Sequence, residues 1–175
     1  MIIRPLVSSD VDRFAEHIVH HLAENGLGPR FAPFDELPRT MEQIRQRNLD
    51  GWAAKVGDTG WMRTWAAFDE DGAILGHADL RARGPDHTGH RALLGMGVRL
   101  PHRRRGLGTR LLETVTDWAR AEGFAWVDLF VLEPNTPAQT LYRRFGFVEV
   151  CRYTDFFRIG DDSVGDIGMV LDLRG

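Results

Sequence analysis

Lysine is nearly absent from this chain. Lys55 stands alone and arginine supplies the rest of the 22 basic residues, so its cationic sites are always charged and rich in planar donors. Cysteine occurs once, at Cys151, which excludes an internal disulfide and agrees with a reducing compartment. No apolar run approaches the length that spans a bilayer, so no membrane partner is expected. The opening MIIRPLVSSD lacks the basic-then-apolar pattern of a secretory leader, and a cytoplasmic location is expected. Basic excess is missing too. The 22 lysines and arginines face 25 aspartates and glutamates, a net charge of -3, which argues against a nucleic-acid partner. Repeats, low-complexity tracts and composition breaks are lacking, so the 175 residues read as one domain, 1–175, large enough for a real core.

What is present is a mixed order of strands and helices. Residues 2 to 5 read as a short strand. Ser8, Ser9 and Asp10 offer caps for a helix in which Val11, Phe14, Ala15, Ile18, Val19 and Leu22 recur at helical spacing. The glycines and prolines of residues 24 to 39 read as a loop, followed by a helix from about Thr40 to Arg47. WMRTWAAFDE (61–70) and AILGHADLRA (73–82) read as strands joined by a two-residue turn at Asp71-Gly72, and RALLGMGVR (91–99) as another. Residues 107 to 121 form an amphipathic helix with Leu107, Leu111, Leu112, Val115, Trp118 and Ala119 inward and Gly123 as its stop. AWVDLFV (125–131) reads as a strand buried on both faces. Asn135-Thr136-Pro137 opens a helix, with Asn135 as a capping side chain, that ends at Gly146. Residues 147 to 157 and 166 to 173 close the sheet as antiparallel strands, with Gly160-Asp161-Asp162 near their turn. The order is α+β, with a β-α-β unit in the second half.

The stretch PHRRRGLGTRLL (101–112) gathers positive charge before two glycines at a strand-to-helix junction. The first turn of a helix has unpaired N–H groups and a partial positive charge, and glycines at 106 and 108 let a bulky anion approach them. Arginines beside such a turn add charge-assisted bonds to phosphate oxygens. The spacing is not a P-loop, which needs GxxxxGK[ST]. Nor is it a dinucleotide fingerprint, because Leu111 stands where the third glycine belongs.

Arg103-x-x-Gly106-x-Gly108 resembles the pyrophosphate loop of the GNAT superfamily of acyl-CoA-dependent N-acyltransferases. VLEPNTPAQTLYRRFGF (131–147) resembles a later motif of the same family, with Asn135, Ala138, Leu141, Tyr142, Gly146 and Phe147 in place. The resemblance runs from about Gly76 to Val150. It implies a mixed, mostly antiparallel sheet, splayed in the middle, with helices on both faces. It implies acetyl-CoA as co-substrate and direct transfer of its acetyl group to a small primary amine, such as an amino acid, an amino-acid-like compound or an antibiotic. A protein lysine or N-terminal acetyltransferase and a catalytically silent acyl-CoA-binding module are the alternatives. Family members often pair through their last strands, so a homodimer is expected.

The resemblance also assigns roles. The strand LLGMGV would part from WVDLFV and leave backbone groups near Met96 and Val98 for the pantetheine amides, as in strand addition. Gly95 and Gly97 would thin the strand for that ligand. The pyrophosphate would sit on the amides of residues 104 to 109, which include Arg104, Arg105, Gly106, Leu107, Gly108 and Thr109, with Arg103, Arg104 and Arg105 as positive surroundings. Family members often have glycine where this chain has Arg104. The N–H near Val98 would stabilise the oxyanion. Asn135 and Ala138 would contact the cofactor. Tyr142 would protonate the departing thiolate, although on residues alone it reads as a core tyrosine beside Leu141 and Phe145.

The base that some family members carry on the strand before the loop falls at Ala92. His77, Asp79, Glu133 or water are the replacements. His17, His20 and His21 lie at i, i+3 and i+4, a spacing that suits zinc, but with no obvious acidic or cysteine partner they read as exposed helix histidines and no metal is expected. Cys151 reads as a small buried hydrophobe. Trp52, Trp61 and Trp65 read as core filling rather than an acceptor pocket.

Overall fold

A computed structural model describes residues 1–34, 39–85 and 87–175, so residues 35–38 of the expected loop lie outside the described residues. The elements are β1 (Ile2–Pro5), α1 (Val11–Leu22), α2 (Met41–Ala53), β2 (Met62–Phe68), β3 (Ile74–Ala82), β4 (Arg91–Val98), α3 (Leu107–Ala121), β5 (Trp126–Leu132), α4 (Thr136–Phe145), β6 (Val148–Ile159) and β7 (Asp162–Asp172). The strands form one seven-stranded sheet in the order β1-β2-β3-β4-β5-β7-β6. Every pairing is antiparallel except β4 with β5.

The helices divide between the two faces. On one, the inward stripe of α3 meets Trp65, Ala78, Leu80, Ala92 and Leu94 of β2, β3 and β4. Leu111, Leu112 and Val115 are completely buried there, each stabilising the fold by about 1.5–3 kcal/mol. Trp61 and Trp65 pack with Trp118 and Phe124 in this core, and the Trp52 indole donates to Thr64 Oγ1 at 3.0 Å. On the other face α1 covers Ala66, Phe68 and Ile74 with Phe14.

The local signals explain most boundaries. Thr40 and Gln43 form a reciprocal capping box at the start of α2, with Gln43 N–H donating to Thr40 Oγ1 at 3.2 Å and Thr40 N–H to Gln43 Oε1 at 2.9 Å. α2 then runs past the expected end at Arg47 to Ala53, through Gly51. A Cβ at Gly51 would lie 2.8 Å from Met62 Cβ, so this glycine lets the helix press against β2, and that packing overrides its weak helix propensity.

The turn between β2 and β3 differs from a two-residue hairpin. The strands stop at Phe68 and resume at Ile74. Asp69 Oδ1 accepts from the N–H groups of Asp71 at 3.0 Å and Ala73 at 2.8 Å, a side-chain-capped loop that widens the connection. The last hairpin turns on Gly160 and Asp161, with Ile159 opposite Asp162, and extends further than the expected strands. β5 is not sealed on both faces. Phe130 is 43% exposed, and buried Asp128 is held by Arg83 and Arg91, whose Nε atoms each donate at 2.8 Å.

Candidate active site

β4 and β5 pair only through Arg91–Trp126, Ala92–Val127 and Leu93–Asp128. Beyond these positions β4 continues to Val98 and β5 to Leu132 without meeting, so the sheet is parted in its middle. Met96 and Val98 lie on the parted segment, with side chains packed on the α3-side core.

At the open end of β4 the chain turns through Leu100–His102 into α3. Gly106 caps that helix in the left-handed region, with φ +79°, and Arg104 has φ +60°. Only glycine occupies the first conformation without strain. Among the described residues, none accepts a hydrogen bond from the N–H groups of residues 104 to 109, whereas Arg110 N–H closes the first helical turn on Gly106 O at 3.2 Å. This cluster of unpaired donors suits an anion. Arg104 and Arg105 are exposed beside it, Thr109 is half-buried and Leu107 is anchored in the core. A Cβ at Gly108 would lie 2.9 Å from Leu141 Cδ2 and 3.6 Å from Met96 Cε, so α3, α4 and β4 converge there.

Arg103 turns the other way. Its Nε donates to Val98 O at 2.8 Å, its Nη2 reaches Glu24 Oε2 at 3.4 Å, and its guanidinium stacks on Phe31 at 5.4 Å. Asn135 begins α4 without a side-chain capping bond, which corrects the capping reading. Its backbone is committed, with the carbonyl accepting from Gln139 N–H at 3.1 Å and the N–H donating to Leu132 O at 2.9 Å, while its side-chain amide remains uncommitted. Ala138 is half-buried on the same helix. Tyr142 is buried, with its ring edge-on to Phe147 at 5.7 Å. Burial holds its phenol well above the usual tyrosine range, so it keeps its proton and is an acid, not a base.

The two glycines of β4 are filled by the chain itself. A Cβ at Gly95 would lie 2.6 Å from both Arg81 Nη1 and Asp79 Oδ1. One at Gly97 would lie 2.3 Å from His21 Nε2. Both thin the strand so that titratable groups from β3 and α1 can lie against it.

Helix α1 also reaches this part of the sheet, through two histidines expected on its exposed side. His17 and His21 are not exposed helix histidines: each is buried, because α1 presents Phe14, His17 and His21 to the sheet. His17 Nε2 and His77 Nδ1 share a hydrogen bond of 2.9 Å. Burial pulls His17 down to about 3 and His21 to about 4, and holds His77 well below the usual histidine value, so all three are neutral near pH 7. Among the described residues no group of three or more histidine, cysteine, aspartate or glutamate side chains could hold a metal ion.

The other proton acceptors expected near the site are engaged. Asp79 is paired with Arg81, and Glu133 Oε1 accepts from Arg152 Nη1 at 2.8 Å. Ala92 is completely buried on the α3 side, so a carboxylate there would be sealed in the core. Cys151 is only half-buried, opposite Gly168.

Glu24 falls at the start of the loop expected over residues 24 to 39. It accepts from Arg99 Nε at 2.6 Å and from Leu100 N–H at 2.8 Å, tying the end of α1 to the end of β4. Burial alone would raise its carboxyl, but these bonds outweigh burial and hold it below the usual range.

Comparison with known proteins agrees with this geometry. Residues 29–147 match the model of the acetyltransferase (GNAT) family. A mycothiol acetyltransferase of Clavibacter michiganensis subsp. michiganensis is 38% identical over 81 residues, which are 46% of this chain and 25% of that protein. The chain thus spans about a quarter of that relative's length, and 37% of a second mycothiol acetyltransferase, from Beutenbergia cavernae. Among solved structures, a GCN5-related N-acetyltransferase from Kribbella flavida is 28% identical, with a TM-score of 0.73 over 98% of this chain and 96% of that one. The phosphinothricin acetyltransferase of Sinorhizobium meliloti in complex with AcCoA shares the fold, with a TM-score of 0.80 at 19% identity over 98% of this chain and 87% of that one. The parted strands and the match across residues 29–147 make this protein a member of the acetyltransferase (GNAT) family.

Proposed function

We propose that the chain transfers an acetyl group from acetyl-CoA directly to a small primary amine. The observation that carries this reading is the run of unpaired N–H groups at residues 104 to 109, beside the gap between β4 and β5. The pyrophosphate binds those amides, with Arg104 and Arg105 adding charge, while the free edge of β4 at Met96 and Val98 receives the pantetheine arm. Asn135 and Ala138 flank that arm from α4. The amine attacks the thioester carbon, the C–N bond forms and the C–S bond breaks. An N–H near Val98 steadies the oxyanion, and the Tyr142 hydroxyl gives its proton to the departing sulfur.

Phe31 stacks on His21 at 4.6 Å and lies 5.4 Å from the Arg103 guanidinium, which places an aromatic ring on the α1 side of the site. The single sheet running from β1 to β7 supports residues 1–175 acting as one unit. No described helix is long and apolar enough to cross a membrane. Exposed Val148, Val150, Tyr153 and Phe156 on the edge strand β6 support pairing of two copies, which sedimentation would measure.

Calorimetry with acetyl-CoA and CoA tests the binding half of this reading. Thiol release with the twenty amino acids, putrescine, spermidine and kanamycin tests the transfer half. Heat from both coenzymes and amine-dependent thiol release are expected. Absence of binding by folded protein ends the reading, and binding without turnover across the panel leaves a protein acetyltransferase or an acyl-CoA-binding module.

A further inference from the structure

We propose that His21 of α1 is the base of the transfer, taking the proton that the amine nitrogen sheds as it bonds to the acetyl carbon. This rests on the acetyl-transfer reading above.

The geometry around the ring carries the assignment. Its faces are fixed: Phe31 stacks on one side at 4.6 Å and 20°, and His17 lies near-parallel at 6.1 Å and 7°. His77 meets it edge-on at 5.6 Å. Only the two nitrogen-bearing edges remain to act. Nε2 lies against Gly97, on the part of β4 that has left β5, and a Cβ there would be 2.3 Å from it. Nδ1 faces Glu24 Oε2 at 3.8 Å, beyond hydrogen-bond reach, and is a buried nitrogen without a hydrogen-bond partner. One nitrogen resting over the parted segment of β4 and the other beside a fixed carboxylate is the arrangement of an oriented base. The Glu24 carboxylate favours the tautomer with its proton on Nδ1, which leaves Nε2 as the unprotonated nitrogen.

His77, Asp79 and Glu133 are each committed to His17, Arg81 and Arg152. His17 and His77 act as positioning residues behind His21, since neither bonds to it.

The charges around His21 are Glu24 from the end of α1, Arg99 and Arg103 from beyond β4, and the neutral His17 and His77. Burial is the largest influence and brings the imidazole to about 4, against the pull of Glu24. A base that weak cannot strip a free alkyl ammonium, so the first proton leaves to solvent. Once the nitrogen has bonded to the acetyl carbon it is cationic beside an electron-poor centre, and its remaining proton is far more acidic. That proton passes to Nε2, the imidazolium closes on Glu24, the oxyanion collapses, and sulfur leaves with the proton of Tyr142. Through solvent the imidazolium's proton restores the Tyr142 phenol, so both groups end the cycle as they began it.

The test uses the full chain, acetyl-CoA, and the amine of the panel above that gives the fastest thiol release. His21→Gln and His21→Ala should lower kcat by about 100-fold or more while leaving the calorimetric Kd for acetyl-CoA within about twofold. Imidazole added to His21→Ala should restore part of the lost rate, which a purely structural role would not allow. His20→Gln, on the exposed side of the same helix, should behave as wild type. A folded His21→Gln with wild-type kcat overturns the proposal. So does a fall in affinity that matches the fall in rate, with no rescue by imidazole. Wild-type protein that binds no acetyl-CoA, or turns over no amine in the panel, removes the small-amine transfer reading and this proposal with it. Wild-type binding and turnover together with an unaffected His21→Gln remove only the proposal.

Discussion

Glu24 accepts a hydrogen bond from Arg99 Nε at 2.6 Å, joining two residues 75 positions apart. The same carboxylate holds Leu100 N–H at 2.8 Å, so one buried acid fixes where β4 ends and where the turn into α3 begins. Glu24→Gln keeps the shape but loses the charge that Arg99 and Arg103 face. Both arginines are only about a third exposed or less, so stability should fall by about 2 kcal/mol in urea unfolding. Acetyl-CoA affinity should fall too, because the turn that offers its amides would no longer be pinned.

The buried imidazoles make stability depend on pH. In the folded chain His17 titrates at about 3, His21 at about 4 and His77 well below the usual histidine value, whereas unfolding frees each to titrate near 6.5. The unfolded state therefore binds more protons below neutrality. Stability is fully present above about pH 6.5 and declines as pH falls toward the folded values. Each such histidine contributes a slope of up to about 1.4 kcal/mol per pH unit between pH 6 and 5. Urea midpoints measured at pH 7.5, 6.5 and 5.5 should drop progressively, and His17→Gln should make that drop shallower by about one histidine's share. A pH-independent midpoint over this range would show that the cluster is not buried in solution.

Much of the second half was legible because its signals are local. The apolar stripe and Gly123 bounded α3 at residues 107 to 121, and the glycine at 160 placed the last hairpin turn. The parting of β4 from β5 followed from the resemblance carried by the loop and by residues 131 to 147. The first half hid its content. His17 and His21 looked like solvent-facing polar residues because what buries them, His77, lies 60 residues from His17 in the chain. The last turns of α2 lie beyond the expected end at Arg47, since the closeness of Gly51 to Met62 is what lets the helix continue. Gly95 and Gly97 suggest room for a ligand, but the room is taken by Asp79, Arg81 and His21. A single sequence shows a missing side chain, but not which long-range neighbour uses the space.

Arg104 and Arg105 are exposed and, among the described residues, hold no acidic partner. Replacing both with alanine should leave the thermal midpoint within about 2 °C, because exposed charges away from caps and cores contribute little. Calorimetry should show acetyl-CoA binding weakened by about tenfold, with a shallower dependence on salt, since these charges act on phosphates through screened water. Acetyl-pantetheine lacks the pyrophosphate, and its inhibition constant should not move. An equal loss for both ligands would place the arginines elsewhere than on the phosphates.

Tyr142→Phe removes one oxygen from a buried ring and leaves its contact with Phe147 intact. The expected result is a kcat lowered by about 100-fold with the acetyl-CoA Kd unchanged, the signature of a proton given only as the C–S bond breaks. The leaving group provides a sharper check. A thioester whose thiol is much more acidic than CoA departs without help, so an acetyl thioester of an aromatic thiol should be turned over by Tyr142→Phe and wild type at rates much closer together. Because burial holds the Tyr142 phenol protonated throughout the working range, the wild-type rate should show no loss from its ionisation up to pH 10. If the variant releases thiol from acetyl-CoA at the wild-type rate, the proton reaches sulfur by another route and Tyr142 is a core residue.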